Sequence, residues 1–297
     1  MNLYRFIDAH RAEYLLRQLC SALAVTPSAY HYWNSTGRAA DQQRSLEDAE
    51  FTRVVRRVHA DSDGTYGADR VHAQLLRDGW YSSVNTVARA MAKAGLRGIS
   101  GRERSTTTTR RDRLAAPFPD LVNRQFLPSE PNTLWYGDIT YIWVGDKFWY
   151  LATVLDAATK EVLGWALADH MRVELVATAL HRAVARRGKI PAGLVFHSDR
   201  GSQYTSTMFA AVCGKYQITQ SMGRRGVCYD NAAAESFFAI IKRELIRRIR
   251  WRNATQLRNV LYEWIETWYN RRRLHSSIGY RPPVEAYQQH TTLKHTA

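Results

Sequence analysis

Along the first third of the chain apolar residues recur at helical spacing, and along the second they alternate or run together at strand spacing. Residues 4–24 read as a first helical stretch. Thr26, Pro27 and Ser28 then offer a helix start, with a capping hydroxyl and proline at the first helical position. A second helix is expected over 46–59, with Phe51, Val54, Val55 and Val58 as its apolar stripe. Two shorter helices follow, over 68–77 and 83–93. The first turns Val71, Leu75 and Leu76 inward, and the second Val84, Val87, Ala88 and Met91. The turn between them contains Gly79, and Ser83 is placed to cap the second helix.

From Thr133 the texture changes. Residues 134–144, 148–155 and 161–168 are aromatic and β-branched and are separated by short turns, which predicts a three-strand antiparallel meander. A helix over 174–187, a short strand over 193–197, a helix over 206–215 and a strand over 218–222 come next. Helices dominate from 230 to about 270. A meander followed by alternating helices and strands makes this part α/β, a mixed sheet flanked by helices, preceded by an all-α region. The expected divisions are an N-terminal helical region over 1–60, a helix-turn-helix over 61–98, a linker over 99–130 and a core over 131–297.

Charge narrows the function. The 297 residues carry 42 Lys and Arg against 27 Asp and Glu, a net charge of +15, so the expected partner is a polyanion. No apolar run is long enough for a membrane helix, which favours nucleic acid over a lipid surface, and the few scattered cysteines suit a reducing cytoplasm, nucleoid-associated if the partner is DNA. Cys20, Cys213 and Cys228 are odd in number and far apart, so neither a disulfide framework nor a zinc site is expected. With this charge, the polar face of the 83–93 helix becomes a candidate DNA contact through Asn85, Thr86, Arg89 and Lys93. In the linker, Arg110 and Arg111 belong either to a solvated tether or to one that follows a phosphate backbone. Lys242 and the run Arg271, Arg272 and Arg273 are further candidates, although an exposed basic helix end explains the run about as well.

Three acids stand out by position. Asp138 sits inside a strand, where a carboxylate is costly unless it faces an opening or a cation. Asp199 ends a strand that runs into a Gly-containing loop. Glu235 lies beside a helical core stripe of Ala234, Phe237, Phe238, Ile241 and Leu245, which leaves it at the rim with Asn231 and Lys242. Three converging carboxylates repel one another, and two divalent ions relieve that conflict; oxygen-only ligands suit Mg²⁺ or Mn²⁺. His197 is expected to be a structural histidine and Asp156 a turn former.

Sixty residues separate Asp138 from Asp199, and 35 separate Asp199 from Glu235, the D,D(35)E spacing of retroviral-type integrases and transposases. The surrounding residues are more specific. The runs WYGDITY at 135–141, HSDRGSQY at 197–204, YDNAAAESFF at 229–238, YNRRRLH at 269–275 and GYRPP at 279–283 resemble the second-frame (OrfB) transposases of the IS-three family of bacterial insertion sequences. Runs at 65–70 and 94–98 are similar to that family's helix-turn-helix. Gly223 and Asp69 depart from the usual Ser and Pro. The resemblance implies a ribonuclease-H-like core, with Asp138, Asp199 and Glu235 as the catalytic and metal-binding triad of an enzyme that cuts and joins DNA. It also implies double-stranded DNA as partner, both element ends and target, and a homo-oligomer on that DNA. No leucine heptads precede the core, so the chain resembles the downstream product of a frameshifting pair that works with an upstream-frame protein. Two other readings of the same residues are a non-catalytic DNA-binding regulator and a ribonuclease-H-type nuclease without strand transfer. The intact triad argues against the first, and the helix-turn-helix against the second.

Overall fold

The computed structural model describes residues 3–99, 128, 130–222 and 232–296, in two compact units, Met1–Gly98 and Ile99–Ala297. Most of the linker, including Arg110 and Arg111, lies outside the described residues, as do Gly223, Cys228 and Asn231.

The first unit is helical throughout. Its opening stretch is two helices, α1 (Leu3–His10) and α2 (Leu16–Ala22), where the residue pattern predicts a single one. The break falls at Tyr14 and Leu15, which are apolar but exposed, so their helical spacing does not reflect a buried face. Ile7, Leu19, Cys20, Tyr30 and Trp33 make the buried centre of this part. Helix α3 (Pro27–Tyr32) starts as expected, with the Thr26 hydroxyl accepting from the Ala29 amide. Helix α4 runs over Arg38–Asp61, beginning about three and a half turns before its apolar stripe. Its polar first half has no stripe to read, and polar contacts hold it: Arg5 donates to Ser45 and to the Asp41 carbonyl, and Trp33 donates to the Asp41 carboxylate.

Helices α5 (Ala68–Arg77) and α6 (Val84–Lys93) form the helical hairpin. The chain leaves α5 through Gly79 at φ +83°, with the Trp80 amide closing onto the Leu75 carbonyl, and Ser83 caps α6 by accepting from the Thr86 amide. The buried faces differ slightly from expectation. Ala73 rather than Leu76 completes the α5 face, and Ala90 rather than Ala88 the α6 face.

The second unit is built on a five-stranded mixed sheet. Its strands are β1 (Leu134–Val144), β2 (Lys147–Asp156), β3 (Val162–Ala168), β4 (Val195–Ser198) and β5 (Thr219–Met222), in the order β3-β2-β1-β4-β5. The first three are antiparallel, as the short turns require, and β4 and β5 run parallel to β1. Helices α7 (Val173–Arg187) and α8 (Thr207–Lys215) cover one face, burying Leu175, Leu180 and Phe209 with Trp135 and Phe196. Helices α9 (Ala232–Glu244) and α10 (Ala254–Tyr262), with the π-helical turn Glu263–Tyr269, cover the other, burying Phe237, Ile241, Leu257 and Trp264 with Tyr136 and Ile142. Both faces are therefore closed by apolar layers, and each large side chain so buried contributes about 1.5–3 kcal/mol.

Gly164 sets the depth of one layer. A Cβ there would fall 2.1 Å from the Ala179 carbonyl oxygen and 2.5 Å from the Ala183 amide nitrogen, so α7 rests directly on the β3 backbone. Gly164→Ala must push helix and strand apart, and is expected to cost about 1–3 kcal/mol in denaturant unfolding. An unchanged unfolding midpoint would show that the layer can give.

Candidate active site

Strand register brings the first two acids together. Tyr136 of β1 lies beside His197 of β4 in the last pair of the parallel ladder, and Asp138 and Asp199 each follow two residues beyond it, near enough for the charge of Asp199 to act on Asp138. Gly137 makes this approach possible: the tip of the Phe196 ring stands 2.2 Å from where a Cβ would be. Asp138 is half-buried, and its Oδ1 accepts from the Ile139 amide at 2.8 Å. Asp199 follows the end of β4, and its Oδ1 accepts from the Gly201 amide at 3.0 Å. Glu235 lies in the first turn of α9, whose Ala234, Phe237, Phe238 and Ile241 are buried, while Glu235 itself is exposed beside them.

The electrostatics tie the three together. Burial raises the Asp138 pKa first, and the charges of Asp199 and Glu235 raise it further, to about 8, against the Ile139 hydrogen bond and the positive charge of Lys242. Burial likewise raises Asp199 and Glu235. Among the described residues no carboxylate of the three has an ion-pair partner within 4.0 Å, and no three His, Cys, Asp or Glu side chains gather on one point. The set is thus coupled but open, with oxygen donors only. Such donors fit a hard divalent cation, which would offset the burial and the repulsion that together keep Asp138 protonated near neutral pH.

The shift has a consequence for stability. An unfolded Asp titrates near 3.9, so between about pH 4 and pH 8 the metal-free folded chain keeps a proton that the unfolded chain has lost. Stability from this group therefore falls as pH rises through that window and is level above it. Asp138→Asn should remove the fall, leaving the metal-free variant about 1–3 kcal/mol more stable than the parent at pH 8 after allowance for solvent screening. Parallel unfolding curves for the two proteins from pH 5 to pH 8 would contradict this.

Other residues separate clearly. His197 is fully buried, and its Nδ1 sits 3.0 Å from the Ser221 hydroxyl of β5, so it joins strands inside the sheet. Asp156 is also fully buried and accepts from the amides of Asn132, Ala158 and Thr159 and from the Thr159 hydroxyl; it builds a turn. Lys242 is half-buried, its Nζ 5.7 Å from the centre of the Tyr141 ring, and its charge acts on Asp138. Tyr204 escaped the reading of the residues. It is buried between Phe196 and Phe209, and burial raises its pKa, helped by the charges of Asp138 and Asp199. Its place in the run after Asp199 was visible, but its inward direction was not.

The basic candidates divide in the same way. Asn85, Arg89 and Lys93 are exposed on α6, whereas Thr86 is half-buried against the Ser83 cap. Arg271 and Arg272 are exposed. Arg273 is not a surface residue. It is 1% exposed and grips Glu244 of α9 with two guanidinium nitrogens, so the expectation of a DNA contact there is corrected. Its neighbour Asn270 is equally buried and pairs through its side-chain amide with both the N–H and the C=O of Val162 on β3. The 269–275 run is thereby a joint between α9 and the edge of the sheet.

A family model described as an integrase core domain matches residues 128–228, a second with the same description matches 216–283, and an HTH-like domain matches 45–104. Fold and site therefore define an integrase-type catalytic core coupled to a helix-turn-helix-like region. The chain is 36% identical over 283 residues to the transposase for insertion sequence element IS629 of Shigella sonnei, covering 94% of each. It is 34% identical to transposase InsF for insertion sequence IS3A of Escherichia coli, covering 95% of this chain and 97% of InsF. With a putative transposase for element IS986/IS6110 of Mycobacterium tuberculosis it shares 37% identity over 89% of this chain and 95% of the other. The chain belongs to the IS3-family insertion-sequence transposases.

Proposed function

We propose that this transposase cleaves DNA at the ends of its own insertion sequence and joins them to target DNA, with Asp138, Asp199 and Glu235 as the catalytic triad. The observation that supports this most is that Asp138 and Asp199 both lie two residues past the end of the parallel β1–β4 ladder, where the charges of Asp199 and Glu235 act on Asp138. The three side chains would hold Mg²⁺ or Mn²⁺, two ions in all. Bound there, the pair supplies activation of the attacking oxygen and stabilisation of the leaving oxygen in an in-line phosphodiester displacement.

The chain's own residues do the rest. The Ile139 and Gly201 amides each hold one carboxylate oxygen of Asp138 and Asp199, which fixes the direction of the other oxygen. Lys242 brings positive charge to the same rim, where a substrate phosphate would lie. Exposed Asn85, Arg89 and Lys93 on α6 offer a face for duplex DNA, and Arg271 and Arg272 add charge on the catalytic unit. Two element ends are to be joined in one event, so the working form is a homo-oligomer assembled on DNA, with the upstream-frame protein contributing to recognition of the ends.

The test is strand transfer of a duplex carrying the element end into plasmid DNA, with the upstream-frame protein supplied. Joined product is expected in Mg²⁺ or Mn²⁺ and none in EDTA. Full activity in EDTA would overturn the reading.

A further inference from the structure

The β1–β2 hairpin carries an aromatic surface that the core does not use. Tyr141 and Trp143 of β1 are 57% and 54% exposed, and Phe148 of β2 is 43% exposed. They form one ladder: Trp143 pairs with Phe148 across the strands, their ring centres 4.7 Å apart, and the Tyr141 ring meets Phe148 at 5.2 Å, both edge to face. Cross-strand aromatic pairs do stabilise hairpins. This one has less need of them, because its other face is closed by Ile142, Val144 and Leu151 and its tip is tied down by the Gly145 amide, which donates to the Trp251 carbonyl. Three large rings about half exposed on one short hairpin are unusual for a face with only that task.

The ladder is also joined to the carboxylates. Strand alternation points Tyr141 and Trp143 to the face opposite Asp138, but the edge of β1 between the faces is open there: β4 pairs only with Leu134, Trp135 and Tyr136. Lys242, from the helix on the Asp138 side, crosses that edge to place its Nζ 5.7 Å from the Tyr141 ring centre. Among the described residues Lys242 has no carboxylate within 4.0 Å, so its charge is available to a phosphate. Tyr141 is three residues along the strand from Asp138, about 10 Å.

We propose that Tyr141, Trp143 and Phe148, with Lys242 at the open edge of β1, form a stacking platform for the unpaired bases of a DNA strand leaving the carboxylate site. Aromatic faces beside a cation are the chemistry that holds single strands without regard to sequence. The proposal deepens the function argued above: the substrate at this site is a frayed or extended end, not only a closed duplex.

The experiment is binding of the full chain, in EDTA at fixed salt, to a duplex of about 20 base pairs either blunt or extended by about five 3′ thymidines. The extension is expected to tighten binding about tenfold, since one base stacked on one ring has that order of effect. Trp143→Ala and Trp143→Leu should each cancel the gain and leave blunt-duplex affinity and melting unchanged, while Trp143→Tyr should keep it. Trp143→Leu separates stacking from mere apolar contact. The readout is binding and not turnover, so failure of the triad assignment would leave it intact. The proposal is overturned if the extension brings no gain, or if the gain survives both substitutions. It is also overturned if Trp143→Ala instead weakens self-association in sedimentation, which would make this face a contact between copies.

Discussion

Asp199→Asn and Glu235→Gln are each expected to lower strand cleavage and strand transfer by roughly a thousandfold or more while leaving the chain folded. Each change keeps the shape and hydrogen-bonding capacity of its side chain and removes one negative charge. Both acids are exposed, so neither replacement empties a packed core. A loss of chemistry therefore measures the loss of charge at the site. Binding to duplex DNA should persist, because the exposed face of α6 is untouched, and removing a charge that faces phosphate can only favour it. A structural role for these acids predicts the reverse, with lost folding or binding and no selective loss of product. The decisive comparison is product yield beside thermal melting and DNA affinity for each variant.

The second large effect belongs to a residue far from the chemistry. Arg273→Ala would leave Glu244, itself buried, as an uncompensated charge between α9 and the 269–275 joint. Breaking one side of such a pair costs about 3–5 kcal/mol, whereas replacing both partners by apolar groups of similar size is often neutral. Denaturant unfolding should show that loss for Arg273→Ala and recover most of it in Arg273→Met with Glu244→Leu. If Arg273→Ala unfolds like the parent but its DNA affinity drops, the guanidinium serves phosphate and the joint does not depend on it.

These residues also show where local pattern carries information and where it stops. The strand over Leu134–Val144 was legible because aromatic and β-branched residues fill it, and Asp138 stood out as a charge that a strand tolerates only at an opening. Glu235 was legible because the apolar stripe of α9 assigns it to the rim. The arginine run at 271–273 was not. Three identical side chains in a row have different fates because Glu244, 29 residues earlier, lies beneath only one of them. The polar first half of α4 likewise depends on Arg5 and Trp33, which the α4 sequence does not contain. Tyr204 and the Tyr141 ladder belong to the same class: their neighbours are set by strand register and helix packing, not by spacing along the chain.

Whether the three acids are a cation site is read by calorimetric titration of Mn²⁺ into the DNA-bound chain in buffers of different ionisation enthalpy. An Asp138 poised at about 8 holds its proton at pH 7 and must release it to become a ligand. Binding with proton release is expected at pH 7, with release fading toward pH 9 and both binding and release lost in Asp138→Asn. Equal Mn²⁺ affinity in parent and Asp138→Asn, with no proton released by either, would contradict a cation site at these acids.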